Sequence, residues 1–136
     1  MQQWKQVEKE FEAIFTAKGK KAFVHRVTDT AAAKATSGKK AFVKAQPSDY
    51  IVTDDGLTYF AEVKSSEHVT SFPHSNIQKF QLASARRITT AGGVYIFFLK
   101  NLNTGTWYCV PAEVIIASEK ASTRWEDIEP YRWNLS

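Results

Sequence analysis

Residues 46–66, QPSDYIVTDDGLTYFAEVKSS, decide how this chain is read. Tyr50–Thr53 and Leu57–Val63 are strand-like apolar runs joined by Asp54-Asp55-Gly56, and Asp-Gly favours a two-residue hairpin turn. With Asp55-Gly56 at the turn, residues whose positions sum to 111 face each other across the hairpin, and Asp49 and Glu62 are such a pair. Side chains alternate along a strand, so Lys64 shares their face. Like charges directly opposed on a sheet are destabilising unless something neutralises them. A divalent cation would do so, and hard carboxylate oxygens suit Mg²⁺. Lys64 would then stabilise developing negative charge or orient a water.

On either side of the hairpin the chain reads as alternating helices and strands. Gln3–Lys18 spaces Trp4, Val7, Phe11, Ile14 and Phe15 as one helical face and stops near Gly19. Ala22–Val27 reads as a strand. Residues 28–40, TDTAAAKATSGKK, are small and basic without apolar periodicity and read as a flexible loop. Its Lys34, Lys39 and Lys40 around Ser37 would suit phosphate contacts; a solvated linker is the plainer reading. Ser65–Pro73 is expected to be irregular. A helix capped by Ser75 or Asn76 is expected to run to about Thr90, with Ile77, Phe80, Ala83 and Ile88 inward. Gly92-Gly93 ends it. Val94–Leu99 then reads as a strand buried on both faces, followed by a turn at Asn101–Gly105, a strand at Trp107–Val110 and a short helix opening at Pro111. The segment 119–136, with Trp125, Tyr131 and Trp133, is too aromatic for a disordered end and is expected to pack on the domain or on a partner subunit.

The 136 residues make one domain, with 43 % hydrophobic and 24 % charged residues, ordinary for a globular protein. A single cysteine, Cys109, excludes an internal disulfide and fits a reducing, cytoplasmic setting. It lies in the run TWYCV, where a small core residue is expected before a nucleophile. No apolar run approaches the length of a membrane span, so no membrane partner is expected. The net charge of +4 leans weakly toward a polyanion. His25, His68 and His74 show no metal-ligand spacing. His74, close to the hairpin in sequence, is nonetheless a candidate DNA contact, as are Arg86 and Arg87 beside a plainer reading as a solvated helix face.

An Asp followed a dozen residues later by Glu-x-Lys is by itself weakly specific, and a solvated ion pair on a hairpin is the bland alternative. The surroundings strengthen it. KAQPSDYIV, FAEVKSS, the TSFP of Thr70–Pro73, then Asn76-Ile77, Gln81, Gly92–Leu99 and YCVPAEVI together resemble the PD-(D/E)xK nuclease superfamily, and within it the RecU-type Holliday-junction resolvases. The resemblance spans roughly residues 44–116. It implies an α/β restriction-endonuclease-like core, with a mixed central β-sheet flanked by helices. The first helix is similar to that of archaeal resolvases, which places Glu8 of VEKEFEAIF at the helix glutamate of the site, with Glu10 and Glu12 as rivals. The chain is shorter than typical RecU proteins, and residues 28–40 would be a reduced form of their junction-inserting stalk.

What the resemblance implies is metal-assisted phosphodiester hydrolysis on DNA, with four-way junctions as the first candidate substrate. Asp49 and Glu62 would hold Mg²⁺, for which Mn²⁺ should substitute, helped by Glu8 and the backbone carbonyl of Val63. Lys64 and Gln81 would position the nucleophile or polarise the phosphate. A junction needs two symmetric cuts, so a homodimer is expected, its candidate interface the aromatic tail. A duplex nuclease of restriction or repair type and a non-catalytic nucleic-acid-binding module are the alternatives.

Overall fold

The structure, a computed structural model, describes residues 3–27 and 46–135. Helix α1 (Gln3–Thr16) is followed by strands β1 (Ala22–Arg26), β2 (Tyr50–Asp54), β3 (Leu57–Ser66) and β4 (Ser71–Pro73). Then come helix α2 (Lys79–Thr90), strands β5 (Tyr95–Asn101) and β6 (Thr106–Pro111), the short helix α3 (Ala112–Ile116) and strand β7 (Ser122–Arg124). Five strands form one sheet in the order β1-β2-β3-β5-β6. All neighbours in it are antiparallel except β3 and β5, which run parallel, so the chain between them must cross over, and α2 makes that crossing.

The hairpin register is the one the turn dictates. Tyr50 pairs with Ala61 and Thr53 with Thr58, and Asp55 and Gly56 both take positive φ, at 51° and 84°, as a type I′ turn requires. Alternation then sorts the strands onto two cores. Tyr50, Val52, Tyr59, Ala61, Phe98 and Trp107 face α1, where Val7, Phe11 and Phe15 pack. Phe97, Leu99, Tyr108 and Val110 face the other way, against Ala85 of α2 and Ile115 of α3. Among the described residues no helix is long and apolar enough to cross a membrane.

Two expectations need correction. The stretch Ser65–Pro73 is not simply irregular: β3 continues to Ser66, and β4 pairs with β7 in a two-stranded sheet. That sheet needs a partner more than fifty positions away, which local pattern does not show. Second, α2 is capped by Gln78 rather than Ser75 or Asn76, because His74–Asn76 forms a separate 3₁₀ turn and Ile77 is extended. The helix is therefore phased differently. Gln81 and Ala85 point inward, whereas Phe80 and Ala83 lie outside. An inward polar Gln81 is invisible to an apolar-periodicity reading. The helix ends at Gly92 (φ 92°), and a Cβ on Gly93 would come 2.8 Å from the Ile88 side chain.

The aromatic tail packs on the domain itself, one of the two placements expected for it. Trp125 is buried and stacks on Tyr108 with centroids 5.5 Å apart. Trp133 packs edge or tilted against Phe11, Phe15, Phe98 and Trp107, and its backbone N–H donates to the Trp107 carbonyl at 2.9 Å. Arene pairs of this geometry contribute about 0.5–1.5 kcal/mol each beyond area burial. Residues 28–40, including Lys34, Ser37, Lys39 and Lys40, lie outside the described residues.

Candidate active site

The site forms where β2 stops and β3 continues. Tyr50 is the first residue of β2 and pairs with Ala61, so Val63 and Ser65 run on beyond its end. Asp49, one residue before the strand, turns its side chain into that gap and accepts the Val63 backbone N–H at Oδ2, 3.1 Å away. Amide and carbonyl of one strand residue point to the same edge, so the Val63 carbonyl faces the gap too. A cavity of about 300 Å³ opens there, lined by Trp4, Val7, Glu8, Asp49, Val63, Lys64, Ser65 and Asn76. The loop that carries Asp49 is held in place twice: Tyr95 Oη donates to the Pro47 carbonyl at 2.7 Å, and Ser48 Oγ to the Tyr50 carbonyl at 2.8 Å.

Glu62 is fully buried behind this cavity. Its Oε1 accepts from Gln81 Nε2 at 2.9 Å, while Oε2 has no hydrogen-bond donor. Its neighbour on that side is Asp49, which as a carboxylate is another acceptor, and the two can bond only by sharing a proton. Burial, then the Asp49 charge and that shared bond, push the Glu62 carboxyl up to about 10, against the opposing pull of Lys64. Positive charge placed here would relieve both the orphaned acceptor and the disfavoured anion.

The three glutamates of α1 separate cleanly. Glu8 lines the cavity, and its carboxyl is raised by burial, with Arg26 opposing and the Asp49 and Glu12 charges adding to the rise. Glu10 points elsewhere: it accepts from Lys100 Nζ at 2.6 Å and from Trp107 Nε1 at 2.8 Å. Those bonds outweigh its partial burial and hold its carboxyl below the usual range. Glu12 accepts from Tyr50 Oη at 2.8 Å and lies 3.6 Å from the Arg26 guanidinium. Arg26 also reaches Glu8 at 2.9 Å, so it ties the helix to β1. Of the rivals, only Glu8 shares the cavity with Asp49.

Asp49, Glu62, Val63, Lys64 and Glu8 are thus gathered in one place, and Gln81 touches Glu62 from behind. Three expected DNA contacts are not part of this gathering. His74 bonds Thr123 through Nε2 at 2.6 Å and joins β4 to β7; burial lowers its pKa. Arg86 and Arg87 are exposed at the far end of α2 beside a shallow hollow with Thr90 and Ala91. Arg26, Tyr50, Tyr95 and Ser48 support the site without any local sequence signal; the first three act through partners distant in the chain, Ser48 through the Tyr50 carbonyl two residues on.

No protein-family model matches this chain, and no curated protein does either. Among solved structures it is similar to Hjc of Archaeoglobus fulgidus, a Holliday junction resolvase from an archaeal hyperthermophile. The TM-score is 0.60 at 15 % identity, over 96 % of this chain and 95 % of that one. The fold is restriction-endonuclease-like. At that identity the likeness is one of architecture.

The donor set fits a hard cation of modest protein coordination. Among the described residues no three His, Cys, Asp or Glu side chains converge tightly enough to cage an ion. Mg²⁺ does not ask for such a cage: it is usually bound by one or two carboxylates, with waters and substrate phosphate completing the octahedron. Asp49, Glu62 Oε2 and the Val63 carbonyl would be its protein ligands, with Glu8 within reach across the cavity.

Proposed function

We propose that this chain is a Mg²⁺-dependent, structure-selective DNA endonuclease, with four-way junctions as its leading substrate. The observation that carries the reading is the buried Glu62 carboxyl, orphaned at Oε2 and pressed against Asp49, with Lys64 and the cavity in front of it. Such a pair is costly to fold and gains its use only when positive charge arrives. The likeness to an archaeal resolvase over nearly the whole chain supports the choice of substrate class.

A bound Mg²⁺ would polarise the scissile phosphate and lower the pKa of a coordinated water. The chain's own residues set the stage for that. Asp49 and Glu62 would fix the position of positive charge at the gap before β2, and Gln81 donates a hydrogen bond to the Glu62 carboxyl. Lys64 presents an ammonium to the phosphate oxygens on which charge accumulates. Glu8 lines the same cavity, where its carboxylate could accept a proton from a water or hold a second ion. Binding is expected to run through Lys and Arg contacts to the backbone, with little base reading.

In this reading the active species is a homodimer, since a two-fold junction calls for two identical sites and one chain supplies one. The β1–β2 face away from α1 offers the surface for it. Phe23 is 59 % exposed there, on the edge strand, with Ile51 and Phe60 on the same face.

The deciding experiment compares cleavage of a four-way junction with a linear duplex of matched sequence, each with Mg²⁺, with Mn²⁺ and in excess chelator. Metal-dependent cutting of the junction alone is expected. Equal cutting of the duplex would point to a restriction or repair nuclease instead. Binding without cutting under any metal would leave a nucleic-acid-binding module.

A further inference from the structure

Trp4 is unlike the other three tryptophans of this chain. Trp107 and Trp125 are buried, and Trp133 is wedged among four aromatic rings. Trp4 keeps 49 % of its surface in solvent. It sits one helical turn before Glu8 on α1, so both side chains project from the same helix face, and both line the cavity at Asp49. The rest of that wall is mostly polar, Asp49, Lys64, Ser65 and Asn76, with Val7 and Val63 between them. Within that wall Asn76 donates to the Ser65 carbonyl at 3.4 Å. The Lys5 ammonium stands 5.4 Å from the Trp4 ring centroid. A flat aromatic surface, a neighbouring cation and a polar pocket of about 300 Å³ form a site for one nucleotide: a π-face for the base and positive charge for its phosphate.

We propose that Trp4 is a stacking platform for the nucleobase beside the scissile phosphate, so that the strand being cut enters with that base out of its helical stack. The proposal rests on the nuclease reading and sharpens it. A fully stacked duplex cannot offer a base face to a side chain without paying for unstacking, whereas a branch point, a flap or a single strand offers one cheaply. Selection for branched DNA then has a physical source in the site, independent of any contact to base edges. The indole binds every base, so sequence preference is weak. Trp4 is a positioning residue: it sets where the backbone lies relative to Asp49 and Glu62, not the chemistry.

The test is a two-by-two cycle of protein and substrate. Wild type and Trp4→Ala are compared on a branched substrate with an intact base next to the cut and on one with an abasic nucleotide there. Affinity is read in Ca²⁺ and cleavage in Mg²⁺. Stacking is worth about 1–3 kcal/mol per base, so Trp4→Ala should weaken binding of the intact substrate by roughly five- to 150-fold. On the abasic substrate the two proteins should be nearly equal. Trp4→Phe should recover most of the loss, which a folding defect would not allow. A 2-aminopurine at the same position should be quenched by wild type and not by Trp4→Ala. An equal loss on both substrates, or unaltered affinity, overturns the stacking role. Quenching that persists in a protein unable to cleave with any metal would retire the nuclease reading and keep the stacking site.

Discussion

Gln81 Nε2 donates to Glu62 Oε1 at 2.9 Å while its own Oε1 accepts the backbone N–H of Gln78 at 3.0 Å. One side chain therefore does two jobs. It closes the capping box at the start of α2 and fixes the carboxyl at the centre of the site. The helix that crosses from β3 to β5 is thereby registered against the residue it covers. Replacing Gln81 with Ala leaves Glu62 without its one donor and α2 without its box. Losing the cap and a buried bond should cost on the order of 2 kcal/mol, with cleavage falling more steeply than binding. Thermal melts and single-turnover cleavage measured side by side check it; cleavage unchanged at a lowered melting temperature would confine Gln81 to a structural part.

Glu62 also predicts a pH dependence. In the folded chain its carboxyl keeps its proton until about 10, against an ordinary value of 4.5. Between those values the folded state holds a proton that the unfolded state has released. Stability from this group is therefore full below about pH 4.5 and drains away as pH rises toward 10. Glu62→Gln cannot ionise in either state and keeps the partner for Gln81. The metal-free variant should be more stable than wild type at pH 8 by on the order of 1–3 kcal/mol, and the gap should narrow at pH 5. Urea melts in chelator at both pH values test this, and a variant less stable than wild type at pH 8 would contradict it.

The same proton bears on metal binding. A carboxyl that is protonated at neutral pH must release its proton to ligate a cation. Binding of Mg²⁺ to wild type should therefore release close to one proton per site at pH 7, and affinity should climb with pH. Calorimetry in buffers of differing ionisation enthalpy reads the proton directly. Mg²⁺ should raise the melting temperature of wild type and leave those of Glu62→Gln and Asp49→Asn nearly unmoved. Both variants should lose cleavage while keeping DNA affinity, since each removes a cation ligand and neither amide adds negative charge beside the phosphate.

The hairpin was legible because its evidence is local: the Asp-Gly turn sets the register, and the register brings Asp49 and Glu62 together. Lys64 followed from alternation alone. What stayed hidden depends on distance in the chain. Gln81 shows no apolar signal and is marked by the family resemblance alone; its bond to Glu62 is what turns it to the core. The pairing of β4 with β7 joins segments fifty residues apart, and Tyr95 reaches the Asp49 loop through a carbonyl contact that no motif marks. The α1 glutamates are the clearest case: three acids at a spacing of two residues are alike in sequence, and only Arg26, Tyr50, Lys100 and Trp107 distinguish them.

That separation of the glutamates yields the last prediction. Glu8 is in the cavity, Glu10 is committed to Lys100 and Trp107, and Glu12 to Tyr50 and Arg26. Glu8→Gln should cut cleavage by at least tenfold and leave stability within about 1 kcal/mol, because a half-buried acid held above its ordinary pKa loses little on becoming an amide. Glu10→Gln weakens the bridge to Lys100 and the bond to the Trp107 indole. Both lie at the opposite end of α1's footprint on the sheet, so it should lower stability by roughly 0.5–1.5 kcal/mol with cleavage unaffected once folded. Glu12→Gln keeps an acceptor for Tyr50 Oη and should show a small effect on both. Melting curves and cleavage rates for the three variants, taken under one condition, order them. Were Glu10→Gln or Glu12→Gln to lose cleavage while Glu8→Gln kept it, the helix glutamate of the site would have to be reassigned and the cavity at Asp49 would no longer define where the phosphate sits.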